Sequence, residues 1–146
     1  MKLITCGTIL HNEKYFLIGH STNNIFWDIP KGQLNKNEII PNCALRELKE
    51  ETNFEGQLED LKLINFYPNY NKHKILYLFH IYLKILPDLN IFHCNSLIDN
   101  SIQPEIDNFM YITIEESCNY LTYNLNKIIS QLKFIRDDCV ERNFYI

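Results

Sequence analysis

Glu47, Glu50 and Glu51 stand at positions i, i+3 and i+4 of the run Ala44-Leu45-Arg46-Glu47-Leu48-Lys49-Glu50-Glu51. At 3.6 residues per turn a helix would project the three carboxylates from one face, and Ala44, Leu45 and Leu48 from another. Like charges at this spacing repel by roughly 0.2–0.5 kcal/mol per pair. The cluster gains a purpose if a divalent cation sits among its oxygens, because hard carboxylate ligands suit Mg²⁺ or Mn²⁺. Such an ion bridges phosphate oxygens and generates a hydroxide nucleophile near neutral pH. Taken alone, Glu-x-x-Glu-Glu is common and reads more readily as a solvated acidic helix face, so the surrounding residues decide.

The element that must carry these glutamates is predicted as a helix over Ile40 to Thr52. Pro41 suits its first turn, where a missing N–H costs nothing. Asn53 suits a left-handed stop at its end. A loop from Lys31 to about Glu38 leads into it. Before the loop, Trp27-Asp28-Ile29-Pro30 reads as a short extended piece, with Ile29 pushed toward β by the proline after it.

Gly32, five spacers, Glu38, seven spacers and then Arg46-Glu47-Leu48-Lys49-Glu50-Glu51-Thr52-Asn53-Phe54 resembles the Nudix box. The one departure is Asn53, where that family has glycine. Asn tolerates positive φ best after glycine, so the resemblance implies a small stability cost and intact chemistry. Thr5-Cys6-Gly7, Trp27-Asp28-Ile29-Pro30-Lys31-Gly32 and the segment Phe109 to Glu116 are similar to the branch containing asymmetric dinucleoside tetraphosphate hydrolases and RNA pyrophosphohydrolases. The box is specific and the flanks are loose.

The resemblance implies roles residue by residue. Glu47, Glu50 and Glu51 would bind metal, with the Gly32 carbonyl as a further ligand and Glu105 as an additional metal-binding or basic carboxylate. Arg46 and Glu38 would form an ion pair that orients the loop on the helix. Glu50 is the first choice for the general base and Glu47 the second. Lys31 would neutralise a phosphate. Lys72, His73 and Lys74, near Tyr67, Tyr70 and Tyr77, suit a polyphosphate with a stacked base, so Lys72, Lys74 and Tyr77 join Lys31 as substrate-binding candidates. Each has a plain alternative as a loop cation, a surface carboxylate or a core aromatic.

Along the rest of the chain, Lys2 to Leu10 reads as a buried strand, His11 to Lys14 as a turn, and Tyr15 to Gly19 as the other arm of a hairpin. Leu58 to Tyr67 and Lys74 to Ile85 read as strands. In the second, Ile75, Tyr77, Phe79, Ile81, Leu83 and Ile85 face the core and the even positions form a mixed face. Pro87 to Pro104 is irregular, with room for one short strand, and Phe109 to Ile112 is strand. Thr113 with Glu116 forms a capping box for a last helix running to about Arg136, with residues 137–146 as a tail. The order predicts an α/β (α+β) fold, a Nudix-like α/β/α sandwich with a mixed sheet between helices, as one domain over 1–136.

At 146 residues, 46% hydrophobic and 22% charged, with net charge -4, the composition fits one globular domain and disfavours a partner held by bulk positive charge. Five cysteines without metal-ligand spacing favour a reducing, cytoplasmic setting over a disulfide framework. No apolar run is long enough to span a membrane. The expected cofactor is Mg²⁺, with Mn²⁺ as the substitute, and a monomer is favoured. The expected activity is Mg²⁺-dependent hydrolysis of a phosphate–phosphate bond in a nucleoside diphosphate-linked substrate, first of all diadenosine tetraphosphate or a related dinucleoside polyphosphate. An RNA 5′ end is the second choice, and a nucleotide sugar, ADP-ribose or nucleoside triphosphate the third. A nucleotide-binding module without catalysis is the reading from another class. Such modules usually lose a box carboxylate, and none is missing here.

Overall fold

The structure, a computed structural model, describes residues 1–132; the expected tail at 137–146 and the far end of the expected last helix lie outside the described residues. Strands β1 (Leu3–His11), β2 (Phe16–Ser21), β3 (Trp27–Asp28) and β4 (Lys31–Gln33) precede helix α1 (Ile40–Thr52). Strands β5 (Lys62–Tyr67), β6 (Lys74–Tyr82) and β7 (Ile106–Ile112) then lead to helix α2 (Tyr123–Ile129). All the strands belong to one mixed sheet of order β3-β2-β1-β6-β5, with β4 also on β1 and β7 also on β2. Two apolar clusters cover its faces. One contains Cys43, Ala44 and Leu48 of α1, and the other contains Leu125, Ile128 and Ile129 of α2. This is the expected sheet between helices.

β1 runs parallel to β6 from Leu3↔Lys74 to His11↔Tyr82. That pairing makes β6 an inner strand, and the two apolar clusters bury both of its faces, which corrects the expected single core face. Leu76 and Leu78 are fully buried against the α2 layer, and Ile81 is 1% exposed against the α1 layer. The strand stops at Tyr82, and Ile85 is 83% exposed. The expected β1–β2 hairpin shrinks to one pair, His11↔Phe16. β2 pairs instead with β3 and, along its whole length, with β7.

Helix α1 has the predicted bounds, with Pro41 in its first turn. Asn53 closes it in the left-handed conformation, φ 66° and ψ 7°, and donates its N–H to the Lys49 carbonyl. The last helix departs from expectation. Thr113 and Glu116 do exchange hydrogen bonds, but they close onto a short 3-10 turn, Ser117–Asn119. Leu121 then bridges to Trp27, which pulls the chain out of helical register before α2 begins. Similarly, Leu58–Asp60 is a 3-10 turn rather than the start of β5.

Candidate functional site

The box glycine sits on β4 opposite Cys6, and α1 crosses directly beneath it. A Cβ on Gly32 would overlap the Glu47 carboxylate, so any other residue here must displace that carboxylate or push the helix away. The Gly32 carbonyl accepts the Cys43 thiol at 3.7 Å. One residue earlier, the Lys31 backbone N–H donates to Glu51 Oε1 at 3.2 Å. The short strand β4 therefore holds two of the three helix carboxylates by close approach and by hydrogen bonding.

Arg46 gathers the rest of the box. Its Nε and Nη2 donate to the two oxygens of Glu38 at 2.7 and 2.9 Å, and Nη2 also reaches the Gln33 carbonyl at 2.9 Å. Its Nη1 reaches Glu47 Oε1 at 2.7 Å and Glu50 Oε2 at 2.9 Å. The guanidinium hydrogen bonds hold the Glu38 carboxyl at about 2, below the usual carboxylate range.

Burial separates the helix carboxylates. The Glu47 side chain is 12% exposed and that of Glu50 is 42% exposed. Burial pushes the Glu47 carboxyl upward against the pull of Arg46. It pushes Glu51 well above its ordinary value, reinforced by the charges of Asp28 and Glu47. Glu105, just before β7, adds a smaller repulsion on Glu47.

Asp28 is the residue that sequence reasoning left without a role. Its Oδ2 pairs with Lys31 Nζ at 2.9 Å, while its Oδ1 is buried with no hydrogen-bond partner among the described residues. Asp28 is the first cause of the raised Lys31 ammonium, and Lys31 in turn is the first cause of the lowered Lys74 ammonium. Lys31 and Lys74 thus share one electrostatic neighbourhood on the α2 face, with Tyr70 beside Lys31. The available signal was the placement of Asp28 three residues before Lys31, next to a proline.

Of the other candidates, Lys72 is exposed in the turn between β5 and β6. Tyr77 lies on the opposite, α1 face of β6 and stacks on Phe66 with ring centroids 5.3 Å apart. The structure does not bring it to Lys31 and Lys74. Asn95 was also missed. Its N–H donates to the Glu50 carbonyl at 2.6 Å and its side-chain amide to the Lys49 carbonyl at 3.2 Å. His93 donates to the Thr52 carbonyl at 3.1 Å. The irregular segment therefore supplies partners for the free carbonyls at the end of the carboxylate helix.

Among the described residues, no three His, Cys, Asp or Glu side chains converge in ready-made metal geometry. The chemistry of the donor set nevertheless fits a hard divalent cation. The carboxylates of Glu47 and Glu51 repel one another, Asp28 Oδ1 is orphaned, and every candidate ligand is oxygen.

The chain matches the NUDIX domain family over residues 1–130. It is 31% identical over 130 residues to the protein named Putative hydrolase 111R of Invertebrate iridescent virus 3, covering 86% of this chain and 68% of that one. Its fold resembles an Ap4A hydrolase of C. elegans, with TM-score 0.61, 20% identity, and 88% and 91% of the two chains covered. It also resembles the NUDIX domain of Shewanella oneidensis NrtR complexed with ADP ribose, with TM-score 0.66, 12% identity, and 90% and 86% covered. A bifunctional NMN adenylyltransferase/ADP ribose pyrophosphatase from Francisella tularensis, complexed with AMP and a Mn ion, gives TM-score 0.64 at 18% identity. There 90% of this chain spans 42% of the larger protein.

Proposed function

This chain belongs to the NUDIX family, and on that premise we propose that it is a Nudix pyrophosphohydrolase that uses Mg²⁺ or Mn²⁺ to cleave a phosphoanhydride in a dinucleoside polyphosphate such as diadenosine tetraphosphate. The observation that carries this reading is the meeting of three elements. Helix α1 brings Glu47, Glu50 and Glu51, β4 brings Lys31 and Gly32, and β6 brings Lys74 to the same neighbourhood as Lys31. The C. elegans Ap4A hydrolase supplies a precedent for this substrate on a similar fold.

Glu47, Glu50 and Glu51, with Glu105 and the Gly32 carbonyl at the margin, would hold the cation. When bound, it supplies neutralisation of phosphate charge and a more acidic attacking water. Lys31 and Lys74 would bind the phosphate chain, with Asp28 fixing the Lys31 ammonium. In the reaction the water oxygen bonds to phosphorus, the bond from that phosphorus to the bridging oxygen breaks, and a phosphorylated product leaves. Glu50 would take the water proton. Its side chain is 42% exposed against 12% for Glu47, so water reaches it, whereas the Glu47 carboxyl is packed against Gly32. Arg46 orients both carboxylates.

The test is turnover, with Mg²⁺ or Mn²⁺, of a panel holding diadenosine tetraphosphate, nucleoside triphosphates, ADP-ribose and 5′-triphosphate RNA. Turnover of the dinucleotide that stops with a chelator is expected. Turnover confined to RNA would move the substrate to the second choice, and no turnover of any compound by folded, metal-supplied protein would overturn the enzyme reading.

A further inference from the structure

Residues 89–94 and the start of β7 enclose a concavity of about 530 Å³. That lies inside the roughly 300–1,000 Å³ span of small-molecule sites. Its floor is apolar, formed by Phe92, Phe109 and Ile106, with the two rings 5.7 Å apart and tilted 45°. Its rim carries amide and imidazole groups, from Asn90, His93 and Asn108. Among the described residues that line it there is no lysine or arginine, so it is unsuited to phosphate. The one carboxylate in the wall, Asp107, is paired with His20 at 2.5 Å. A flat, neutral, hydrogen-bonding ring suits this surface.

Its position relates it to the carboxylates. Ile106 and Phe109 also wall a narrow gap bounded on its far side by Asp28 and Glu51. Glu105, which repels Glu47, lies between Pro104 and Ile106 of the cavity wall. The loop carrying Asn90 and His93 is fastened to the end of α1 through Asn95. The cationic pair, Lys31 with Lys74, is on the α2 face, and the neutral cavity, containing Phe92 and Phe109, is on the α1 face.

We propose that this concavity receives a second nucleoside, the far end of a substrate whose phosphate chain crosses the carboxylates. The proposal rests on the dinucleoside polyphosphate reading above and deepens it. With its one ring bound elsewhere a nucleoside triphosphate has none left for this cavity, whereas a dinucleoside polyphosphate has a ring at each end. The cavity therefore selects for two-ended substrates, and Asn108, Asn90 and His93 are the residues that set that preference.

Two measurements on the full chain test it, with wild type, Asn108→Trp to fill the cavity and His93→Ala to strip its rim, each first shown to fold by circular dichroism. Calorimetric titration with adenosine, which carries no phosphate, should show affinity lower by about tenfold or more in Asn108→Trp. The ratio of kcat/KM for diadenosine tetraphosphate to that for ATP should fall by about tenfold or more in the same variant, with a smaller fall in His93→Ala. An equal loss on both substrates, or adenosine affinity that is the same in all three proteins, would overturn the proposal. If wild type hydrolyses neither compound, the functional reading fails, and the adenosine titration still decides whether the cavity binds a nucleoside.

Discussion

The carboxylate of Glu47 occupies the space in which a side chain on Gly32 would have to begin. This contact joins strand β4 to the carboxylate helix and gives the first glycine of the box its physical reason. Replacing Gly32 with Ala must displace Glu47 or separate β4 from α1. We expect Mg²⁺ affinity to fall about 10–100-fold, as when the support of a metal ligand is lost. Calorimetric titration reads this, and wild-type affinity in the folded variant would refute the contact.

Glu50→Gln keeps the length of the side chain and its bond from Arg46 while removing the base. Its kcat should fall by about 10²–10⁴, with an unaltered melting temperature. A near-normal rate would transfer the proton to another carboxylate, with Glu47→Gln the next variant to measure.

Asn53 combines a left-handed backbone with a side-chain bond, its Oδ1 accepting from the Asn95 amide at 3.1 Å. Asn53→Ala loses both and should cost about 1–2 kcal/mol in urea denaturation. Asn53→Gly relieves the backbone but forfeits a bond of about 0.5–1.5 kcal/mol, so it should be close to neutral. Equal stability of the Ala and Gly variants would contradict this account.

Asn95→Ala removes the amide bonds to Lys49 and Asn53 but keeps the backbone bond to Glu50. A loss of about 1 kcal/mol is expected. Hydrogen exchange should be faster in the last turn of α1 and unchanged in β6; a uniform change across both would count against a local role for this residue.

His11 and His80 form a buried pair, Nε2 to Nδ1, at 2.9 Å. The Glu13 N–H donates to His11 Nδ1, so the His11 proton is on Nε2 and is donated to His80. Burial lowers both rings, His11 to about 3 with the His80 charge opposing it further, and His80 to about 4 with Lys62 adding. The unfolded chain then binds more protons between the ordinary histidine value and these lowered ones. Stability from the pair is present above about pH 6.5 and is lost as the pH falls through that window, by up to about 1.4 kcal/mol per pH unit for each ring. Glu47 and Glu51, whose values are raised, act in the opposite sense above the ordinary carboxylate value. The measurement is therefore the stability difference between wild type and His80→Gln at each pH. A difference that does not shrink toward acid would show that the rings do not titrate in this way.

What could be read from the sequence was local. Pro41 and Asn53 are signals within the helix they bound, and α1 has the bounds they indicate. Thr113 and Glu116 were as strong a local signal, yet the bridge from Leu121 to Trp27 outweighed them. Lys31 and Lys74 come together only because β1 pairs with both β4 and β6. Tyr77 was separable in advance, since a three-residue offset from Lys74 along a strand places it on the other face. Asn95 had no local signal, because the carbonyls it satisfies lie more than forty positions earlier.

The segment that fastens the end of α1 also builds the wall of the neutral cavity. Its length and its side chains are therefore not independent design variables. A graft of residues 88–95 from another scaffold, made to alter ligand preference, would also release the helix that holds Glu47, Glu50 and Glu51. Side-chain exchanges at Asn90, His93 and Asn108 leave the backbone tether in place. Redesign of substrate choice on this scaffold should proceed by those substitutions, with the loop kept at its present length.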